Sequence, residues 1–125
     1  MIADTTFLVH LVRDDRANRT GPARAFLARN RREVIRTSII SLAEVAVMWQ
    51  ASDEAWAHFR NWKVYPLHRG VADAAADVNR ELIRTGDPLG ENDNWIAGFC
   101  RYYREPVISL DAAFDRVRGL RRLAY

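Results

Sequence analysis

The chain has 125 residues, of which 49% are hydrophobic and 28% charged, a composition typical of a folded domain and not of a disordered one. No apolar run reaches the roughly 20 residues of a membrane-spanning helix, and Asp4 interrupts the stretch where a signal peptide would place its apolar region. Cys100 is the only cysteine, so no internal disulfide can form and a reducing cytoplasm is the expected location. We therefore predict one cytoplasmic domain over residues 1–125, with no membrane partner.

The basic residues are almost all arginine. The formal net charge is +3, and Lys63 is the single lysine among 19 basic residues. Arginine's planar fork suits phosphate recognition better than lysine's point charge does. A GC-rich coding bias produces the same replacement, however, so the charge permits a nucleic-acid partner without indicating one.

Predicted strands and helices alternate along the chain. Strands are predicted over residues 1–3, 33–37, 63–67, 106–110 and 121–125. Helices are predicted around residues 7–12, 22–30, 41–49, 53–62, 71–82 and 94–103, with a helical turn over residues 112–117. Residues 13–19 read as a polar connector, and residues 86–90 as a loop.

The alternation predicts the fold class. The clearest helical stripe is Val71, Ala75, Val78 and Leu82, at positions i, i+4, i+7 and i+11. Strands joined by helices imply a parallel sheet covered on both faces and connected by right-handed crossovers. The prediction is therefore an α/β fold, a three-layer α/β/α sandwich with a central parallel sheet.

Four acids stand next to strongly apolar sequence. Asp4 follows the first predicted strand and Asp111 the fourth, whereas Glu44 and Asp93 lie in largely apolar helices. Each has a structural explanation when taken alone. Asp4 and Asp111 can cap the helices that follow them, Ser41 and Glu44 match a capping box, and Asp93 can oppose a helix dipole.

Taken together, the four acids favour a metal site. The predicted sheet places them near the carboxyl ends of its strands, where ligands bind in open parallel sheets. Carboxylates that converge in a partly apolar crevice repel one another unless a cation neutralises them. A ligand set made only of oxygen atoms favours Mg²⁺ or Mn²⁺.

The ordered motifs resemble those of the PIN-domain nucleases, and among them the small prokaryotic VapC-type toxins of toxin–antitoxin systems. The resemblance consists of "DTT" after the first strand, then "SIISLAEV", "LGENDNWIAG" and "VISLDAAFDRVRGL". It implies Asp4, Glu44, Asp93 and Asp111 as catalytic and metal-binding residues. Thr5 or Thr6 would support them with a hydroxyl, although Thr6 stands where Asn or Ser is more usual.

The resemblance also implies a function. The similar enzymes are Mg²⁺- or Mn²⁺-dependent endoribonucleases that hydrolyse phosphodiester bonds of single-stranded RNA, with a small antitoxin protein as partner. They are typically homodimers, and the helices around Trp49, Trp56, Phe59 and Trp62 carry apolar surface that such a dimer would bury. Two alternatives stay open: a catalytically silent PIN-like binding or assembly module, and a housekeeping nuclease without an antitoxin.

Several other residues bear on these hypotheses. An aspartyl phosphatase needs a second acid two residues after the first, and Thr6 occupies that position. Asp115 reads as a solvated or capping acid more readily than as a fifth ligand. In the predicted connector, the candidates for contacting RNA are Arg13, Arg16 and Arg19, for which a solvated loop is the default interpretation.

Overall fold

The computed structural model describes all residues, 1–125. It contains five strands, β1 (Ile2–Ala3), β2 (Arg36–Ser38), β3 (Lys63–Tyr65), β4 (Val107–Ile108) and β5 (Arg122–Leu123). Six α-helices accompany them: α1 (Thr5–Arg16), α2 (Pro22–Arg29), α3 (Ile39–Ala46), α4 (Ser52–His58), α5 (Arg69–Arg84) and α6 (Glu91–Tyr103). A short 3-10 helix spans Ala112–Arg116. None of the helices is long and apolar enough to cross a membrane.

The strands form one parallel sheet in the order β3-β2-β1-β4-β5. β1 lies at the centre, with Ala3 opposite Thr37 of β2 on one side and Ile108 of β4 on the other. The chain builds the sheet outward from β1 in one direction, and then crosses to the other side of β1 to form β4 and β5. The gap beyond the carboxyl ends of β1 and β4 is therefore the switch point at which a crevice opens.

Two apolar clusters cover the two faces of the sheet. Successive side chains of a strand point to opposite faces, so Ile2 packs in the cluster with α5 and α6 while Ala3 packs in the cluster with α1 and α3. The stripe Val71, Ala75, Val78 and Leu82 is buried along α5. The three-layer sandwich and its parallel sheet are confirmed.

Helices α5 and α6 cross at very short range. A Cβ atom placed on Gly98 would lie 2.6 Å from the Cβ of Ala75 and 2.8 Å from its Cα. Contacts below about 3.0 Å are not tolerated between such atoms, so only glycine fits at this crossing. Since α6 also carries Asp93, this contact positions one of the four acids.

The boundaries of several elements differ from the sequence prediction. The second strand begins at Arg36 and not at residue 33, because the chain is still turning at Glu33, whose amide donates to the Asn30 carbonyl. Val34 is 56% exposed, so the apolar stretch before β2 is not a buried strand. Helix α1 continues through Arg16, into the segment predicted as a connector.

Candidate acidic active site

Asp4 lies at the carboxyl end of β1, where it both ends the strand and begins α1. Its Oδ1 accepts a 2.7 Å hydrogen bond from the amide of Phe7, which makes it the N-cap of α1. Its own amide donates to the Ile108 carbonyl of β4 at 3.1 Å. Only 3% of the residue is exposed, so a carboxylate is held almost fully buried at the switch point.

Asp111 occupies the corresponding position beyond β4. Its Oδ1 accepts a 2.8 Å hydrogen bond from the amide of Ala113 and so caps the 3-10 helix. Its amide donates to the hydroxyl of Ser109 at 3.0 Å. The capping roles that the sequence suggested for Asp4 and Asp111 are therefore present, and they orient both carboxyl groups.

The capping box predicted for Ser41 and Glu44 is wrong. Helix α3 begins at Ile39, and its N-cap is Ser38, whose hydroxyl accepts a 3.0 Å hydrogen bond from the Ser41 amide. Glu44 lies too far along α3 to reach the amide of its cap residue.

Glu44 instead links three helices. Its carboxylate accepts a hydrogen bond from the hydroxyl of Thr5 on α1, and a second one of 2.6 Å from Nδ2 of Asn92 on α6. These two donors fix both oxygens of Glu44 near the start of α1 and of α6. Of the two threonines considered, Thr5 makes this contact and Thr6 is exposed.

The charges of the four acids act on one another. Burial raises the pKa of Asp4 from 3.8 to about 6, the nearby charges of Asp93 and Asp111 add to this, and hydrogen bonds from Ser109 and the Phe7 amide oppose it. Partial burial also raises the pKa of Asp93, and the charges of Asp111 and Glu44 reinforce that shift. Asp4, Asp93 and Asp111 therefore lie within electrostatic range of one another, and Glu44 joins them through Asp93.

The side-chain positions are nevertheless more open than a closed metal cage. No three histidine, cysteine, aspartate or glutamate side chains lie close enough to ligate one ion together. The donor chemistry nevertheless fits a cation, because the candidate ligands are all carboxylates. One of them, Asp4, is almost fully buried, and this burial is the main cause that disfavours its charged form.

Three polar residues of the site were missed in the sequence. Asn92 stands directly before Asp93, and its amide side chain was a visible signal. Ser109 precedes Asp111 by two residues, a spacing at which a hydroxyl accepts from a turn amide. Ser38 was hidden because the preceding strand was predicted to end at residue 37.

Asp115 and the three arginines have other contacts. Arg122 binds both carboxylate oxygens of Asp115, at 2.9 and 2.8 Å, and this pairing holds the pKa of Asp115 below its usual value.

Two of the three candidate arginines have other partners. Arg16 stacks 4.9 Å from the Trp49 ring and donates to the Met48 carbonyl, and Arg19 pairs with Asp14 at 3.2 Å. Arg13 is exposed on α1, not in a connector as predicted.

Comparison with known families decides what this fold is. A family model described as the PIN domain matches residues 1–120. The chain belongs to the PIN domain family. A comparison of this PIN domain with curated proteins finds no match.

Solved structures share the fold of this PIN domain at low sequence identity. The chain is similar to a DNA-bound VapBC from Salmonella typhimurium, with a TM-score of 0.80 and 21% identity over 98% of this chain and 96% of the other. For VapBC2 from Rickettsia felis, bound to a promoter DNA fragment, the TM-score is 0.78, with 16% identity over 99% and 97%. For VapBC-5 from Mycobacterium tuberculosis, from the VapBC family of toxin–antitoxin systems, it is 0.61, with 23% identity over 73% and 82%.

Proposed function

We propose that this PIN domain is a Mg²⁺- or Mn²⁺-dependent endoribonuclease that hydrolyses phosphodiester bonds of single-stranded RNA. The observation that carries the proposal is that Asp4, Glu44, Asp93 and Asp111 lie at one edge of the sheet. There burial above all, and then the charges of Asp93 and Asp111, raise the pKa of Asp4. Such a cluster destabilises the metal-free fold, because its carboxylates repel one another and lose solvation. A bound hard cation would neutralise them.

The donor set suits Mg²⁺ without requiring a closed cage. Mg²⁺ keeps several of its waters and is commonly held by one or two carboxylates, so direct contact with three side chains is not needed. In this proposal Asp4, Glu44, Asp93 and Asp111 hold the cation, directly or through water. When bound, the cation lowers the pKa of water and neutralises charge on the scissile phosphate.

The protein's own contribution is to orient the acids. The Phe7 and Ala113 amides fix the carboxyl groups of Asp4 and Asp111 through the two caps. The side chains of Thr5 and Asn92 fix the carboxylate of Glu44. Ligands that are already oriented lose less conformational freedom when they bind a cation or substrate.

Substrate contact is assigned to Arg13. This residue is exposed on α1, nine positions after Asp4, and therefore about 14 Å along the helix from the acids at 1.5 Å per residue. Because Arg16 and Arg19 are engaged elsewhere, Arg13 is the one of these three arginines that remains for the RNA backbone. Its guanidinium suits a phosphate at the rim of the crevice.

We further propose that the protein is a homodimer and the toxin of a toxin–antitoxin pair. Val47, 82% exposed, and Trp56, 46% exposed, leave apolar surface on the α3–α4 region that a second copy would bury. Phe59 is buried, and Trp49 and Trp62 pack partly against the core, so Trp56 is the member of this aromatic group that remains for a dimer interface. The similar VapBC structures support a small antitoxin as second partner.

The test of the nuclease is cleavage of an unstructured RNA with and without Mn²⁺. The wild type should cut the RNA only with metal, and Asp93→Asn should abolish cutting because it removes a ligand charge with little change in volume. Asp115→Asn is the matched control, since both carboxylate oxygens of that acid are already paired with Arg122. Full activity of Asp93→Asn would refute the four-acid site, and a folded wild type that never cuts RNA would favour the binding-module alternative.

The toxin role needs a separate test in cells. Expression of the wild type alone should arrest growth, Asp93→Asn should be harmless, and co-expression of a small protein encoded next to the gene should relieve the arrest. Harmless expression of a wild type that cleaves RNA would instead indicate a housekeeping nuclease.

A further inference from the structure

A second concave site lies at the opposite edge of the sheet from the acids. It is a cleft of about 320 Å³ between the end of α6 and the segment that leads into β5. Pro106 and Arg121, which line it, directly precede β4 and β5, whereas Asp4 directly follows β1. The cleft shares no lining residue with the acidic cluster, so its function does not depend on the proposed RNA cleavage.

Four arginines line this cleft, which we call the arginine cleft: Arg101, Arg104, Arg118 and Arg121. Arg101 is held in place, because its guanidinium donates two hydrogen bonds of 2.8 Å to Glu81 and one of 3.3 Å to the Arg118 carbonyl. The other three arginines are exposed and form no ion pair. Three guanidinium groups are therefore free to bind an anion.

The single acid in the cleft does not neutralise them. Glu105 accepts a 2.6 Å hydrogen bond from the hydroxyl of Tyr65 and one of 3.1 Å from Arg36, so its carboxylate is already engaged. Arg104 caps the end of α6, where a cation offsets the helix dipole. That explanation does not extend to Arg118 and Arg121, which lie beyond β4 and converge on the same cleft from a different segment.

The floor of the arginine cleft is apolar. Cys100 and Val117 are buried beneath it, and Leu120 is a partly buried residue packed against the core. An inorganic anion would use the charged rim and leave this floor uncovered. A ligand that satisfies both parts carries an anionic group and a flat apolar group.

We propose that the arginine cleft binds a nucleoside phosphate, with the phosphate on the guanidinium groups and the base on the apolar floor. Guanidinium forks match the oxygens of a phosphate, and about 320 Å³ lies within the range of small-molecule sites. A free nucleotide and the 5′-terminal nucleotide of an RNA strand share this chemistry. The experiment separates these two sources.

Binding is measured by calorimetry on the full chain in EDTA, so that no divalent cation can bridge a phosphate to the acids. The ligands are ATP, GTP, AMP, pyrophosphate and a short 5′-phosphorylated oligoribonucleotide. The variant Arg118→Ala/Arg121→Ala should weaken nucleotide binding about a hundredfold, at about tenfold for each lost charge-assisted contact. Arg32→Ala is the control, an exposed arginine outside the cleft.

The outcomes are distinct. If free nucleotides bind the wild type and Arg32→Ala but not the double variant, the arginine cleft is a site for free nucleotides. Binding of the oligoribonucleotide alone, lost in the same double variant, would assign it to an RNA terminus. No binding of any of these ligands at millimolar concentration would overturn the proposal, as would an equal loss in Arg32→Ala. Pyrophosphate binding as tightly as ATP would show that the base does not contribute, and would overturn the proposed contact between the base and the apolar floor.

Discussion

The buried carboxyl group of Asp4 should make the metal-free protein less stable than its Asn variant above pH 6. Burial and neighbouring charge raise the pKa of Asp4 from 3.8 to about 6 in the folded state. Since the folded state then favours the neutral acid, the stability that this shift contributes is present below pH 3.8 and is lost as the pH rises through 6. A difference of about two pKa units corresponds to about 3 kcal/mol.

Asp4→Asn removes that cost and keeps the cap, because Asn is as good an N-cap as Asp. The free energy of unfolding, measured by urea titration in EDTA, should be up to about 3 kcal/mol higher for Asp4→Asn than for the wild type at pH 8. At pH 4 the two proteins should differ little. Asp115→Asn is the control of opposite sign, since pairing with Arg122 holds the pKa of Asp115 low and its loss should lower stability at pH 8.

Asp4→Ala separates the cap from the charge. It also removes the ionised carboxylate, but it loses the hydrogen bond from the Phe7 amide, which costs about 1 kcal/mol. Its stability at pH 8 should therefore fall below that of Asp4→Asn. A difference between wild type and Asp4→Asn that is the same at pH 4 and pH 8 would refute this account of the buried charge.

Three further predictions follow from other contacts. Asn92→Ala should leave the fold intact but weaken Mn²⁺-dependent RNA cleavage, because Glu44 loses one of its two donors. The midpoint of the Mn²⁺ dependence should shift to higher concentration, and an unchanged metal dependence would contradict this role. Gly98→Ala should lower the free energy of unfolding by about 1–3 kcal/mol through overpacking against Ala75, as urea titration can test. Light scattering should give a dimer for the wild type and a smaller mass for Trp56→Lys; a wild-type mass near 14.4 kDa at high concentration would exclude the dimer.

The sequence was most informative where one physical cause dominated. The α5 stripe had no competing interpretation, because four apolar residues at helical spacing can only be buried together on one face. The alternation of strands and helices similarly predicted a parallel sheet, which is the sheet that the structure contains. Asp4 and Asp111 could be placed in advance because parallel strands deliver whatever follows them to the same edge of the sheet.

The contacts of Glu44 could not be predicted in the same way. The pattern Ser41-x-x-Glu44 satisfied a local rule, but the N-cap of the helix is Ser38, three residues earlier than the pattern required. The true partners, Thr5 and Asn92, are 39 and 48 residues away along the chain. Contacts of this kind depend on how α1, α3 and α6 meet, which local spacing does not encode.

The most direct test of the proposed metal site is calorimetric titration of Mn²⁺ into the metal-free protein. We predict saturable binding to the wild type, binding weakened at least about tenfold in Asp93→Asn by the loss of one charge-assisted ligand, and unchanged binding in Asp115→Asn. Equal Mn²⁺ affinity in all three proteins, or none in the wild type at millimolar Mn²⁺, would contradict the account and leave the four acids as capping and surface residues.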